Sequence, residues 1–414
     1  MAPARAGLPA YCDSPAIRHL SVPKDRANPR AGTLDHRYQY FPPTAPGRPT
    51  FVLLPGGPGP GIYDWNAKEV ADAWQLPEGF GMLSLDPRGI GCNRVGLKEI
   101  PARLYSTRKL AEDTAEIIAR ERLKNFVLFG GSYGTQWATE LYGVLRERKL
   151  PLPRLVILEG TLGRAWPVGR GQTVDFEHQW KVQSRELSAK VLGLFKAKRL
   201  PFDLDARTWG KYLHDQLLFG TYLGKDGTTV HRSLPDALEP LVTGTSEEKE
   251  KLKEEVVSSA REPQEPPRGT SDELMTRTVL CRETRPEWLI PMEVRDGLLV
   301  SIARRSRYCE GTPFDLEYSA DHVQILSPIV YLEGARDPAT PYWQSGAHFA
   351  GQRHASKKVY LQLPKGGHAS GLGIRDCLKA FWKASFALAN DGEDARGFPI
   401  LEKVCRLRPI VTIR

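Results

Sequence analysis

The amino-acid sequence predicts an α/β protein: a mostly parallel central sheet flanked by helices, interrupted by an inserted, mainly helical segment. Three observations carry this. Short apolar runs recur at TFVLL from Thr50, GMLSL from Gly81, FVLF from Phe126 and RLVIL from Arg154, and again at PIVYLEG from Pro328 and KVYLQLP from Lys358. Runs of that length with almost no polar positions are how strands buried on both faces read. Between the early runs, TRKLAEDTAEIIARERL from Thr107 and TQWATELYGVLRER from Thr135 space their apolar residues as helices do, so strands and helices alternate. The alternation then fades after Gly160 and resumes only near position 328.

Residues 1–162 form the first part of the core in this reading. They open with a Pro- and turn-rich region whose alternating stretches, such as HRYQYF from His36, suggest antiparallel edge strands. Residues 163–325 form the insertion, with amphipathic stretches near 177–195 and 208–219 and a Pro/Glu-rich loop, REPQEPPRGTSDE, from Arg261. Residues 326–414 return to the core with two buried strands and a closing helix around 376–389.

At 414 residues the chain has room for a large core and an insertion. Its 41% hydrophobic and 26% charged residues are ordinary for a globular protein, which excludes a disordered or fibrous one. No run reaches the roughly 18 consecutive apolar residues of a membrane helix, so no membrane partner is expected. The formal charge of +9 raises the question of nucleic acid. The basic residues are scattered among acids, as in SEEKEKLKEEV from Ser246, and the cluster at Arg304, Arg305 and Arg307 lacks interleaved aromatics, so none is expected to bind. The first residues contain no signal-like apolar stretch, which places the chain as given in the cytosol, or outside it if a leader has been removed. Six cysteines without C-x-x-C spacing argue against zinc or thiol redox chemistry; their even number permits three bridges without requiring them.

The strongest local signal is FVLFGGSYGTQW from Phe126, in which Gly130-Gly131-Ser132-Tyr133-Gly134 stands between an expected strand and an expected helix. That is the setting of the nucleophile elbow of an α/β-hydrolase fold. A serine hydroxyl needs a base to take its proton, and the base needs a carboxylate to orient it. In this fold the order is serine, acid, histidine. Asp337 follows one late strand and His368 the next, at the carboxyl ends where functional groups collect. His348 and His354 are lesser competitors for the base. The oxyanion requires N–H donors: Tyr133, directly after the nucleophile, supplies one, and the turn LLPGGPGPG from Leu53 offers Gly57, with Gly56 as its alternative. That turn lacks the endings of a phosphate-binding loop. In LDPRGIG from Leu85, Asp86 and Arg88 read as residues that pin a loop beside the nucleophile.

As a set, PGGPG from Pro55, DPRGIG from Asp86, GGSYGT from Gly130, GARDPATP from Gly334 and GGHASG from Gly366 resemble the proline iminopeptidase and tripeptidyl aminopeptidase family of α/β hydrolases. AIRHLSVPKDRANP from Ala16 is similar to that family's N-terminal segment. Pro55, where many iminopeptidases have histidine, and Cys377 with Cys405 look more like the tripeptidyl branch, many of whose members are exported. By that analogy the bridges are Cys377–Cys405, Cys281–Cys309 and Cys12–Cys92. The resemblance implies a helical cap and an aminopeptidase acting through an acyl-enzyme on a peptide or small amide or ester, with neither metal nor organic cofactor. It also implies a carboxylate for the substrate's α-ammonium, for which Glu159, Glu177 and Glu283 are candidates. The rival readings are a carboxylesterase or lipase with the same triad and a non-catalytic binding module. The sequence leaves the oligomeric state open.

Overall fold

The computed structural model describes residues 10–58, 71–72, 74–93, 105–163, 185–196, 199–205, 208–209, 212–213, 221–223, 229–231, 237–260, 279, 282–283, 318–335, 337, 340–364, 366–368, 374, 377–389, 398–405 and 407–413. Glu177, the loop from Arg261 and the Cys281–Cys309 pairing lie outside them.

In chain order the sheet strands are β1 (Ile17–Pro23), β2 (Thr33–Phe41), β3 (Thr50–Leu54) and β4 (Gly81–Leu85). Helix α1 (Thr107–Arg120), β5 (Phe126–Gly131), α2 (Tyr133–Glu147) and β6 (Leu155–Glu159) follow. The intervening segment holds α3 (Arg185–Lys196), a hairpin of β7 (Thr221–Leu223) and β8 (Thr229–His231), and α4 (Ser246–Ala260). The chain then returns as β9 (Ile329–Gly334), α5 (Tyr342–Gly351), β10 (Lys357–Leu363), α6 (Leu378–Leu388), α7 (Phe398–Cys405) and β11 (Arg408–Ile413).

Nine strands lie in the order β1-β2-β4-β3-β5-β6-β9-β10-β11. The six from β4 to β10 are mutually parallel. The β1–β2 hairpin closes one edge antiparallel and β11 the other. Every expected strand is present, and the register explains why the runs are apolar throughout. Successive strand side chains face opposite sides. Val52, Leu54 and Leu128 pack with α1 and α2 through Leu110, Trp137 and Leu141, while Phe51, Leu53, Val127 and Phe129 pack with Phe381 and Trp382 of α6 and Phe398 of α7. Both faces are covered, so the runs are mostly apolar, and the buried acids Glu159 and Glu333 stand at the carboxyl ends of β6 and β9.

Three features depart from the sequence reading. Helices α5 and α7 are additional to the one expected closing helix, and β11 adds an edge strand. Its Pro409 breaks the strand signature but is tolerated where one side of the ladder is unpaired. The hairpin β7–β8 interrupts an insertion expected to be helical. That segment has its own apolar cluster, in which Val191, Trp209, Tyr212, Leu213, Leu238, Leu252 and Val256 are buried.

The DPRGIG loop after β4 is fixed by buried charge. Arg88 is fully buried, and its Nε and Nη2 donate to Asp113 Oδ2 and Oδ1 of α1, each at 2.7 Å, while Nη1 donates to the Lys24 carbonyl at 2.9 Å. Arg26 Nη2 adds a bond of 2.7 Å to Asp113 Oδ1. Burial opposes the charge of Asp113, but the arginines outweigh it and hold its pKa below the ordinary value. Asp86 accepts from the Cys92 N–H at 3.2 Å, and Asn93 Nδ2 donates to the Asp86 carbonyl at 2.7 Å. A disulfide, Cys12–Cys92, ties the same loop to the N-terminal turn; a second, Cys377–Cys405, staples α6 to α7.

Candidate active site

Ser132 sits where β5 ends and α2 begins, with φ 52° and ψ −122°. This is a sparsely populated conformation for a side-chain-bearing residue, costing on the order of 1–3 kcal/mol. Its surroundings hold it there. The Ser132 N–H donates to the Glu159 carbonyl of β6 at 2.7 Å, and the Ser132 carbonyl accepts from the Thr135 N–H at 2.9 Å and from Thr135 Oγ1 at 2.6 Å. The turn closes because its flanks are glycines: a methyl group on Gly130 would stand 2.3 Å from the Gly134 carbonyl oxygen, and one on Gly134 2.1 Å from that of Leu54.

Tyr133 opens α2. Its N–H belongs to the first turn, where no carbonyl of the helix itself accepts, and the helix dipole there favours negative charge. The phenol is buried and bonds Thr107 Oγ1 at 2.8 Å; burial, then the nearby Glu283 charge, pushes its pKa well up. Gly56 lies against Ser132, a methyl there being 3.2 Å from its Cβ and 3.8 Å from its Oγ. Gly57 follows with φ 127° and a cis bond to Pro58.

The acid and histidine meet at the carboxyl ends of β9 and β10. His368 Nδ1 is 2.7 Å from Asp337 Oδ2. Asp337 is buried and is fixed by Thr340, whose N–H donates to Oδ1 at 2.9 Å and whose hydroxyl donates to Oδ2 at 2.7 Å. With Asp337 accepting at Nδ1, that nitrogen carries the proton and Nε2 is the basic one. Burial disfavours the imidazolium, but the charge and hydrogen bond of Asp337, with a contribution from Glu159, prevail and raise the His368 pKa above 6.5. Gly160 lies against this pair. It follows Glu159, whose carbonyl holds Ser132, and has φ 59°; a methyl on it would lie 3.3 Å from His368 Cε1 and 3.4 Å from Asp337 Oδ2.

The competing histidines are elsewhere. His348 is buried between Thr139 Oγ1 (3.0 Å) and the Tyr331 hydroxyl (2.9 Å), and burial, then Lys358, lowers its pKa to about 3. His354 is exposed beside Gln324.

The two described candidate carboxylates differ. Glu159 Oε2 lies 3.7 Å from where a methyl on Gly131 would be, and its charge reaches His368. Glu283 is turned toward α1 and α2: it accepts from the Thr107 N–H at 2.9 Å, from the Thr107 hydroxyl and from Gln136 Nε2 at 2.7 Å. Those three bonds occupy most of its acceptor capacity. Sequence reasoning misses Thr340, Gly160 and Glu333. Only Thr340 carries a signal, since an aspartate three residues before a threonine is a recurrent side-chain-to-backbone turn.

Residues 49–218 match the model of the α/β-hydrolase fold family. That match and the mostly parallel, helix-flanked sheet give the chain an α/β-hydrolase fold. No curated protein sequence matches it. Among solved structures it is similar to a proline iminopeptidase of Mycobacterium smegmatis (14% identity, 90% of this chain and 99% of that one, TM-score 0.45). An esterase from Rhodococcus sp. ECU1013 has 15% identity over 90% and 99%, with TM-score 0.44. A proline iminopeptidase-related protein from Thermus thermophilus has 16% over 90% and 98%, with TM-score 0.41.

Proposed function

We propose that this protein is a serine hydrolase that releases residues or short peptides from the free N-terminus of peptides, with Ser132 as nucleophile, His368 as base and Asp337 as its orienting acid. One observation carries the reading: a strained Ser132 at a helix N-terminus, joined through Glu159 and Gly160 to a hydrogen-bonded Asp337–His368 pair. His368 Nε2 takes the Ser132 proton as Oγ attacks the scissile carbonyl. The N–H groups of Tyr133 and Gly57 stabilise the oxyanion, with Gly56 shaping the wall beside it. His368 then protonates the leaving amine, and a water activated by the same imidazole hydrolyses the acyl-enzyme. These steps call for neither metal nor organic cofactor. Residues 163–325 form the cap over this site in our reading, and their separate apolar cluster supports it.

The free-amine preference rests on Glu159, whose carboxylate lies on the Ser132 side of β6 and is felt at His368. A desolvated α-ammonium needs such a partner. The test is a panel of Pro-, Ala- and tripeptidyl-arylamides, their N-acetylated twins and a short acyl ester. Cleavage of the free-amine substrates alone is the expected result, and the preferred length identifies the branch. Turnover of the ester alone would keep Ser132 and assign an esterase.

The acidic limb of kcat/KM is expected above pH 6.5. The base works as neutral imidazole and its folded pKa is raised, so activity is lost as pH falls through that pKa. Its contribution to stability runs the other way, complete below the unfolded value and lost as pH rises through the folded one. A limb below 6.5 would show that Asp337 does not raise the His368 pKa.

A further inference from the structure

Behind the Asp337–His368 pair lies a second acid with no part in the steps above. Glu333 is the penultimate residue of β9 and is completely buried. Its Oε2 accepts from the Thr161 N–H at 3.2 Å, whereas Oε1 receives no hydrogen bond. Its carboxyl stands within hydrogen-bonding range of the Asp337 side chain. Around it are Thr161 from the segment after β6, Asp337 from the loop after β9, Ser345 of α5 and Tyr360 of β10. Of these only Asp337 and Tyr360 titrate, and burial, then the nearby Glu333, keeps the Tyr360 phenol protonated.

Two ionised carboxyl groups side by side repel strongly in a site that water does not reach. Asp337 has Thr340 and His368 to stabilise its charge. Glu333 has one backbone N–H, that of Thr161; the nearby Ser345 hydroxyl donates to the Tyr342 carbonyl at 2.9 Å. We propose that Glu333 is retained as the neutral acid and donates its proton to Asp337, so that a carboxyl–carboxylate pair bearing one negative charge orients His368. Burial, and after it the charge of Asp337, accordingly drives the Glu333 pKa well up. Glu333 is a positioning residue: it fixes the Asp337 carboxylate from behind, as Thr340 does from the side, and keeps a second full charge away from the imidazole. The role rests on the reading of Ser132, His368 and Asp337 as the catalytic set.

The alternative, an ionised Glu333, makes opposite predictions. Glu333→Ala removes the donor, and kcat is expected to fall by about ten- to a hundredfold with KM unchanged. Glu333→Gln restores an N–H donor to Asp337 and an acceptor for Thr161, so it should recover most of that loss and leave the acidic limb at the wild-type pH. If Glu333 were ionised, the Gln variant would remove a charge near His368 and drop the limb by about one unit or more. That result would overturn the proposal. A readout independent of turnover is the infrared carbonyl band of a protonated carboxylic acid at pH 8, expected in the wild type and lost in Glu333→Gln. Should that variant fail to fold, the band is recorded in Glu140→Gln, which eliminates the other described glutamate of raised pKa. Its presence supports the neutral acid and its absence overturns it. The band does not depend on catalysis, so its outcome is separable from failure of the peptidase reading.

Discussion

Purified Ser132→Ala is expected to lose about four to six orders of magnitude in kcat on whichever substrate the wild type cleaves best, with the fold intact. The size follows from the way the site is assembled. In the proposed mechanism, without Oγ the base has no proton to take, and the N–H groups of Tyr133 and Gly57 have only a water-derived intermediate to stabilise. Substrate contacts survive, so KM should move far less than kcat. The fold should survive because the bonds that pin the turn belong to the backbone: the Ser132 N–H to Glu159 and the Ser132 carbonyl to Thr135. Far-ultraviolet circular dichroism and the thermal midpoint check the fold; initial rates with purified protein check the chemistry. A variant within tenfold of wild type would remove Ser132 as nucleophile, and with it the proposed mechanism.

Arg88→Ala should produce the largest loss of stability among single substitutions outside the apolar core, about 3–5 kcal/mol. The guanidinium is fully buried, forks onto both oxygens of Asp113 and donates to the Lys24 carbonyl. Removing it leaves Asp113 buried with Arg26 as its remaining arginine, empties a large volume between α1 and the loop, and orphans a carbonyl of the N-terminal segment. Lysine does not rescue this, since an ammonium cannot replace a planar two-pronged donor. The urea midpoint at unchanged slope measures the effect, and a shift below about 1 kcal/mol would show the pair to be dispensable. The depressed Asp113 pKa adds a pH signature. The carboxylate's contribution is present above its unfolded value and is lost as pH falls through the lower folded one, so the gap between wild type and variant should close in acid.

The elements of the sheet are legible because each strand solves the same local problem. A strand covered on both sides is apolar at successive positions, and β3, β5, β6 and β9 are so along most of their length, with Glu159 and Glu333 only at the carboxyl ends of β6 and β9. The edges are less legible: β11 carries Pro409 and pairs on one side only, and α5 and α7 are short, at ten and eight residues. The insertion reads as helical because of its amphipathic stretches near 177–195 and 208–219. A three-residue strand such as β7 leaves almost no period to detect.

The sequence by itself determined the order and type of the core strands, the elbow at Ser132 and the candidates Asp337 and His368. These are local consequences of backbone sterics, burial on two faces and the order of residues at strand ends. Pairings that cross the chain were decided only by the tertiary structure. It brought Thr340 and Glu333 to Asp337, turned Glu283 into an anchor on Thr107 and Gln136, left Glu159 beside Ser132, and set Gly160 against Asp337 and His368. A buried carboxylate looks the same in sequence whether it faces a substrate, a hydroxyl or another acid. Its charge and its role are fixed by neighbours remote along the chain, and only the packed sheet specifies which neighbours those are.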